Sequence, residues 1–117
     1  MTATPSNATP YKQFISLANT LDLEPGAFGA VLGINERTLQ RRAKSGRLDE
    51  AESLKAQMVH ATLEFAKTVF ADQKQASAWM TSQLPALQFQ RPLDVLVTLD
   101  GYERCRTILG RLAAGAY

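Results

Sequence analysis

Apolar residues recur along this chain at intervals of three and four, the spacing of one buried stripe on an α-helix. Alternating β-branched runs are scarce, and no Asn-Gly or Asp-Gly hairpin stands between two such runs. The pattern therefore predicts an all-α chain. A first helix runs from Tyr11 to about Leu21, with Phe14, Ile15, Ala18 and Leu21 on one face. Pro25 opens a second, since a proline in the first turn sacrifices no hydrogen bond. Gly33 ends it by taking the left-handed conformation. Asn35 has the short oxygen-bearing side chain of an N-cap, and the third helix it starts turns Leu39 inward and stops at Gly46. Asp49 and Glu52 stand at capping-box spacing and open a long fourth helix to about Phe70. Its predicted inward stripe is Leu54, Met58, Ala61, Phe65 and Val69. A break at Ala71–Asp72 leads to a fifth helix bearing Ala76 and Trp79, the latter read as a core residue under the next helix. "QLPALQFQRP" is a loop, and Pro92 starts a short sixth helix through Leu96. Thr98 caps the last helix, which turns Tyr102, Cys105, Ile108, Leu109 and Leu112 inward.

With 117 residues, 45% of them hydrophobic, the chain can build one compact domain or two very small ones sharing a core. Residues 1–10, "MTATPSNATP", are too polar to bury surface and are expected to form a disordered arm. They have neither the basic start nor the apolar stretch of a secretory signal. No apolar run in the sequence is long enough to cross a bilayer. A single cysteine, Cys105, excludes an internal disulfide and fits a reducing cytoplasm. With His60 alone it cannot complete a zinc site, so no metal and no cofactor is expected. The sequence holds no Ser/His/Asp arrangement and no phosphate-cradling glycine loop, so no catalytic residue is assigned and an enzyme is not expected. The acidic pair Asp49 and Glu50 is explained by the helix dipole it faces. The boundary between two parts is expected within or just after the long helix, near residues 66–72, giving units of 11–70 and 71–117.

Net charge is only +2, but it is unevenly spread. Residues 36–47 hold Arg37, Arg41, Arg42, Lys44 and Arg47 against Glu36 alone, a local +4, while eight basic and ten acidic residues leave the remainder at −2. That stripe is either a solvated helix face or a footprint for a polyanion. Its context favours the second. Two helices joined by a glycine turn, the second rich in arginine, match a helix-turn-helix, whose second helix enters the DNA major groove. Gly29 would allow the two helices to cross closely, Ile34 would plug the space beneath the turn, and Leu39 would anchor the second helix. Arg37, Thr38, Gln40, Arg41 and Arg42 are then candidate DNA contacts, with Lys44 and Arg47 adding attraction to phosphate.

Two motifs carry a family resemblance. One is "RTLQRRAKSGRLDEAES". The other is the order of Trp79, Pro85, Leu87, Pro92, Leu93, Leu96, Thr98, Gly101, Leu109 and Leu112. Together, over about residues 20–115, they resemble the Xre/MbcA/ParS family of antitoxins. "LQFQRP" departs from that family's pattern by lacking a glycine between leucine and proline, and "WM" stands where tryptophan–leucine is usual. The resemblance implies an antitoxin of a type II toxin–antitoxin pair, with a RES-domain toxin that consumes NAD or transfers ADP-ribose from it. It implies that the C-terminal domain covers the toxin's active-site cleft. The N-terminal domain would dimerise and bind operator DNA, so a homodimer and repression of the operon are expected.

On that footing the last helix and tail are the expected toxin-binding elements, through Arg104, Ile108, Arg111, Leu112 and Tyr117. The small residues of "AAGAY" could thread a narrow cleft with Tyr117 as an aromatic plug, or could simply fray in solvent. Two other readings stay open from the residues alone. One is a stand-alone transcriptional regulator with a C-terminal dimerisation or ligand domain. The other is an interaction module with a vestigial DNA motif.

Overall fold

Three helix starts are closed by the side chains whose spacing predicted them, in the computed structural model, which describes residues 8–115. Asn35 accepts from the Thr38 N–H, Asp49 and Glu52 form a reciprocal capping box, and Thr98 accepts from the Gly101 N–H. Each satisfies backbone donors that the first helical turn leaves unpaired. The described residues form seven α-helices and no β-strand: α1 Tyr11–Thr20, α2 Pro25–Val31, α3 Glu36–Ser45, α4 Glu50–Phe70, α5 Gln73–Met80, α6 Pro92–Val95 and α7 Leu99–Ala113. The loop expected between α5 and α6 contains a 3-10 turn, Pro85–Leu87, that sinks Leu87 into the core.

The N-terminal core is built on Phe14, which stacks on Tyr11 and on Phe28 with ring centroids 5.5 and 5.1 Å apart. Leu17, Ala18, Leu21, Leu32, Ile34, Leu39 and Leu48 close around it. In the C-terminal half Trp79 is buried as expected, its ring 6.3 Å from that of Phe70. Met80, Leu93, Leu96, Cys105 and Leu109 complete that core, all shielded from solvent. At Gly101 the start of α7 lies so close to the end of α6 that a Cβ would stand 1.7 Å from the Val95 carbonyl oxygen. Only glycine fits there.

The long helix α4 belongs to both halves. Its first turns meet the N-terminal helices, and the rest packs on α5 and α7. Its inward face differs from the predicted stripe. Ser53, Ala56, Val59, Thr62, Leu63 and Ala66 are buried, whereas Leu54 is 59% exposed and Met58, Ala61, Phe65 and Val69 are only half-buried. Hydrophobicity alone misplaced the face because two of its buried members are hydroxyl residues with paired oxygens. Ser53 Oγ accepts from the Thr9 N–H at 2.8 Å, and Thr62 Oγ1 donates to the Met58 carbonyl at 2.8 Å. Small residues there also let neighbouring helices approach closely.

Order begins earlier than the expected arm allows. Besides its bond to Ser53, Thr9 accepts from the Leu48 N–H at 2.9 Å, and Tyr11 donates to the Gly46 carbonyl at 2.8 Å. Pro10 pairs with Arg47 in an isolated antiparallel bridge. The turn between α3 and α4 offers free backbone groups, and this segment takes them. Residues 1–7 of the arm expected over 1–10 lie outside the described residues. A second tie joins the halves, since Ser77 Oγ on α5 donates to the Thr20 carbonyl at the end of α1.

Candidate nucleic-acid interface and partner surface

The α2–α3 pair has the turn its sequence predicts. Gly33 sits at φ 78°, Ile34 is buried beneath it, and Lys55 Nζ on α4 donates to the Leu32 carbonyl at 3.4 Å. Gly29 is buried where the helices cross. A methyl there would touch the Ile34 carbonyl oxygen at 3.4 Å and Leu39 Cδ2 at 3.5 Å, leaving no room for a larger group.

On α3, Arg37, Gln40, Arg41 and Lys44 are exposed. Their spacing of three, four and seven residues puts them on one stripe of the helix. Thr38 is half-buried beside the stripe, and its hydroxyl accepts from Arg41 Nη2 at 3.4 Å. Arg47, just past the helix, is also exposed. Among the described residues, no carboxylate pairs with Arg37, Arg41, Lys44 or Arg47. Exposed cations with no internal counter-ion keep their field for a polyanion.

Arg42 is different. It stands three residues after Leu39, so it shares the inner side of the helix rather than the outer stripe. Its Nε donates to Glu52 Oε1 at 2.7 Å, and its Nη2 to Glu52 Oε2 at 3.0 Å and Asp49 Oδ2 at 3.2 Å. The hydrogen bond to Glu52 raises the guanidinium's pKa above its ordinary value, against some loss from burial. Burial pushes the Glu52 carboxyl up, but the hydrogen bonds from Arg42 and from the Asp49 backbone outweigh it, and the net shift is down. Of the Arg42 donors that were expected to face DNA, Nε and Nη2 are thus engaged by Glu52 and Asp49 at the start of α4.

In the C-terminal half, Arg104 and Arg111 are exposed and Ile108 and Leu112 half-buried on α7. Arg104 makes an exposed ion pair with Asp100, 3.1 Å away, of a kind that contributes little to stability. Tyr117 and the end of "AAGAY" lie outside the described residues. Two large apolar side chains of this half face solvent: Phe89 at 65% and Leu99 at 66% exposure. Neither was singled out from the sequence, although Phe89 occupies the departure in "LQFQRP". Gln88 and Phe89 both take positive φ, 56° and 65°, a conformation costing roughly 1–2 kcal/mol for each non-glycine residue. Arg106, also unflagged, lies over Phe65 and Tyr102, 5.0 and 5.6 Å from their ring centroids. It ties α7 to α4 by cation–π attraction.

Cys105 and His60 stand apart, one sealed in the core and the other exposed on α4. Burial pushes the Cys105 thiol up to about 11, opposed only weakly by Arg104, so it stays protonated and inert at neutral pH. No group of three metal-ligating side chains occurs among the described residues, and no helix of theirs is long and apolar enough to cross a membrane.

Comparison with known families agrees with this layout. A family model described as the antitoxin Xre-like helix-turn-helix domain matches residues 6–59. One described as the antitoxin Xre/MbcA/ParS C-terminal toxin-binding domain matches residues 65–115. No curated protein matches the chain. The two matches follow one another along nearly the whole sequence, one over the helix-turn-helix and one over the α5–α7 assembly. The chain thus belongs to the Xre/MbcA/ParS antitoxin family, with an N-terminal helix-turn-helix domain and a C-terminal toxin-binding domain.

Proposed function

We propose that this antitoxin neutralises a RES-domain toxin, one that consumes NAD or transfers ADP-ribose from it, and represses its own operon as a homodimer on operator DNA. The observation that carries the DNA half is the stripe of Arg37, Gln40, Arg41 and Lys44. Arg37 and Arg41 can grip guanine or phosphate at two points, Gln40 can pair with adenine, and Lys44 and Arg47 add phosphate attraction. Thr38 lies at the stripe's edge within reach of a phosphate. Arg42 takes no direct part. Residues 11–70 carry DNA binding and dimerisation and 71–117 the toxin contact, with the last turns of α4 supporting the second part.

Toxin binding is assigned to α7 and the chain beyond it, through Arg104, Ile108, Arg111, Leu112 and Tyr117. The protein acts in the cytoplasm, where both toxin and operator are reached. It needs no cofactor, because its role is to occlude and not to turn over.

One experiment tests the whole reading: co-expression with the neighbouring gene, followed by co-purification and a gel shift on the upstream DNA. The expected result is a stable complex, loss of the partner's NAD-consuming activity, and a salt-sensitive DNA shift. A harmless, non-associating neighbour would replace this reading with that of a stand-alone regulator. Truncation after Leu112 separately tests the tail, since unchanged neutralisation would remove Tyr117 from the site.

A further inference from the structure

Phe89 holds up its ring in solvent on a left-handed backbone, directly after a second left-handed residue, Gln88. That conformation crowds a Cβ, and for a bulky aromatic residue it is a genuine outlier. Glycine would take it freely. The turn is nevertheless firmly built. Phe89 N–H donates to the Leu84 carbonyl at 2.8 Å, Leu84 N–H to the Gln90 carbonyl at 3.1 Å, and Gln90 N–H to the Leu87 carbonyl at 3.0 Å. Leu87, two residues before the ring, is rooted in the core. Arg91, two residues after it, is held by Asp94 through Nε at 2.6 Å and Nη2 at 2.8 Å. The fold thus accepts backbone strain to fix a large apolar group that it does not bury. Unexplained strain beneath an exposed side chain marks a place where the side chain works on something else.

We propose that Phe89 is the aromatic anchor with which the C-terminal domain seats in an apolar pocket on its toxin. The inference rests on the toxin-binding role of the domain matched at residues 65–115. An anchor of this kind needs three properties, and Phe89 has each. It is aromatic, the residue class that dominates interface hot spots. It is flanked by exposed polar side chains, Gln88 and Gln90, which suit a hydrated rim. Its backbone is fixed before binding, so association loses little further freedom there. The pairing of Arg91 with Asp94 keeps an uncompensated charge away from the base of the ring.

The test compares the unsubstituted chain with Phe89→Gly, Phe89→Asn and Phe89→Tyr. Each is melted alone and titrated calorimetrically with the purified protein encoded by the adjacent gene. Glycine and asparagine both tolerate the left-handed turn, so these two variants should melt at or above the unsubstituted temperature. They should bind at least about tenfold more weakly, the loss typical of a truncated hot spot. Phe89→Tyr keeps the ring and should bind within about threefold of the unsubstituted chain. Equal binding by Phe89→Gly would overturn the anchor. A fall in melting temperature matching the fall in affinity would also overturn it, by making Phe89 a residue of the fold. If the unsubstituted chain itself does not bind, the toxin reading fails first and takes the anchor with it.

Discussion

Arg42 and Glu52 meet through two parallel N–H···O bonds of 2.7 and 3.0 Å, joining the helix that carries the basic stripe to the first turn of α4. The same Glu52 accepts from the Asp49 N–H at 2.9 Å, so one carboxylate serves both the capping box and the clamp. The pair is partly sheltered, with side chains 22% and 12% exposed. Two-point, charge-assisted contacts of this kind fix orientation as well as adding stability. The angle at which α3 leaves the domain is therefore set partly by α4.

Arg42→Met should lower stability by about 1–3 kcal/mol, the usual range for losing a charged hydrogen bond, as read by urea unfolding. It should also weaken operator binding while leaving the salt slope of that binding unchanged, because no phosphate contact is lost. A slope reduced by a full unit would instead make Arg42 a phosphate ligand.

Arg41→Ala should behave in the opposite way. Its guanidinium is exposed and has no carboxylate partner among the described residues, so folding stability should move by less than about 0.5 kcal/mol. The salt slope of operator binding should drop by about one unit. Affinity measured across a series of salt concentrations decides it, and no change in either quantity would remove Arg41 from the interface.

The clamp also predicts a pH response. Glu52 titrates below its ordinary value in the folded chain, so the folded state binds its proton less well than the unfolded state does. The resulting stability is complete above the unfolded value of about 4.3 and drains away as pH falls through the folded one. The gap in unfolding free energy between the unsubstituted chain and Glu52→Gln should hold steady from about pH 7 to about pH 5.5 and then narrow below about pH 4.5. A gap that stays constant down to about pH 3 would contradict this linkage.

Gly101→Ala should be severe, since its methyl would fall 1.7 Å from the Val95 carbonyl oxygen, a backbone atom that cannot swing aside. A loss of roughly 3 kcal/mol or more is expected, seen as a melting temperature lowered by more than about 10 °C. Gly110, whose Cβ position is open, is the control, and Gly110→Ala should keep or slightly raise helix stability.

What the sequence revealed was governed by distance along the chain. The caps at Asn35, Asp49 and Thr98 were legible because each donor lies three residues from its acceptor. So was the outer stripe of α3, which depends only on helical period. The inner face of α4 was not, because the burial of Ser53 depends on Thr9, 44 residues away. The Arg42 pairing had a local sign as well: the residue falls three places after Leu39, on the side of α3 that meets Asp49 and Glu52. Phe89 gave no local sign of exposure, which emerges only once Leu87 is driven inward beside it.

The unbroken run of α4 through both matched regions has a practical meaning for anyone wishing to recombine such proteins. The interval between the two matches, residues 60–64, falls within this helix, where Thr62 and Leu63 are already interior. A chimera spliced there would graft half a rod onto a foreign seat and strip apolar flank from each parent. Heating should likewise melt the molecule in one step, so whatever loosens the DNA-facing end is felt by the end that meets the poison.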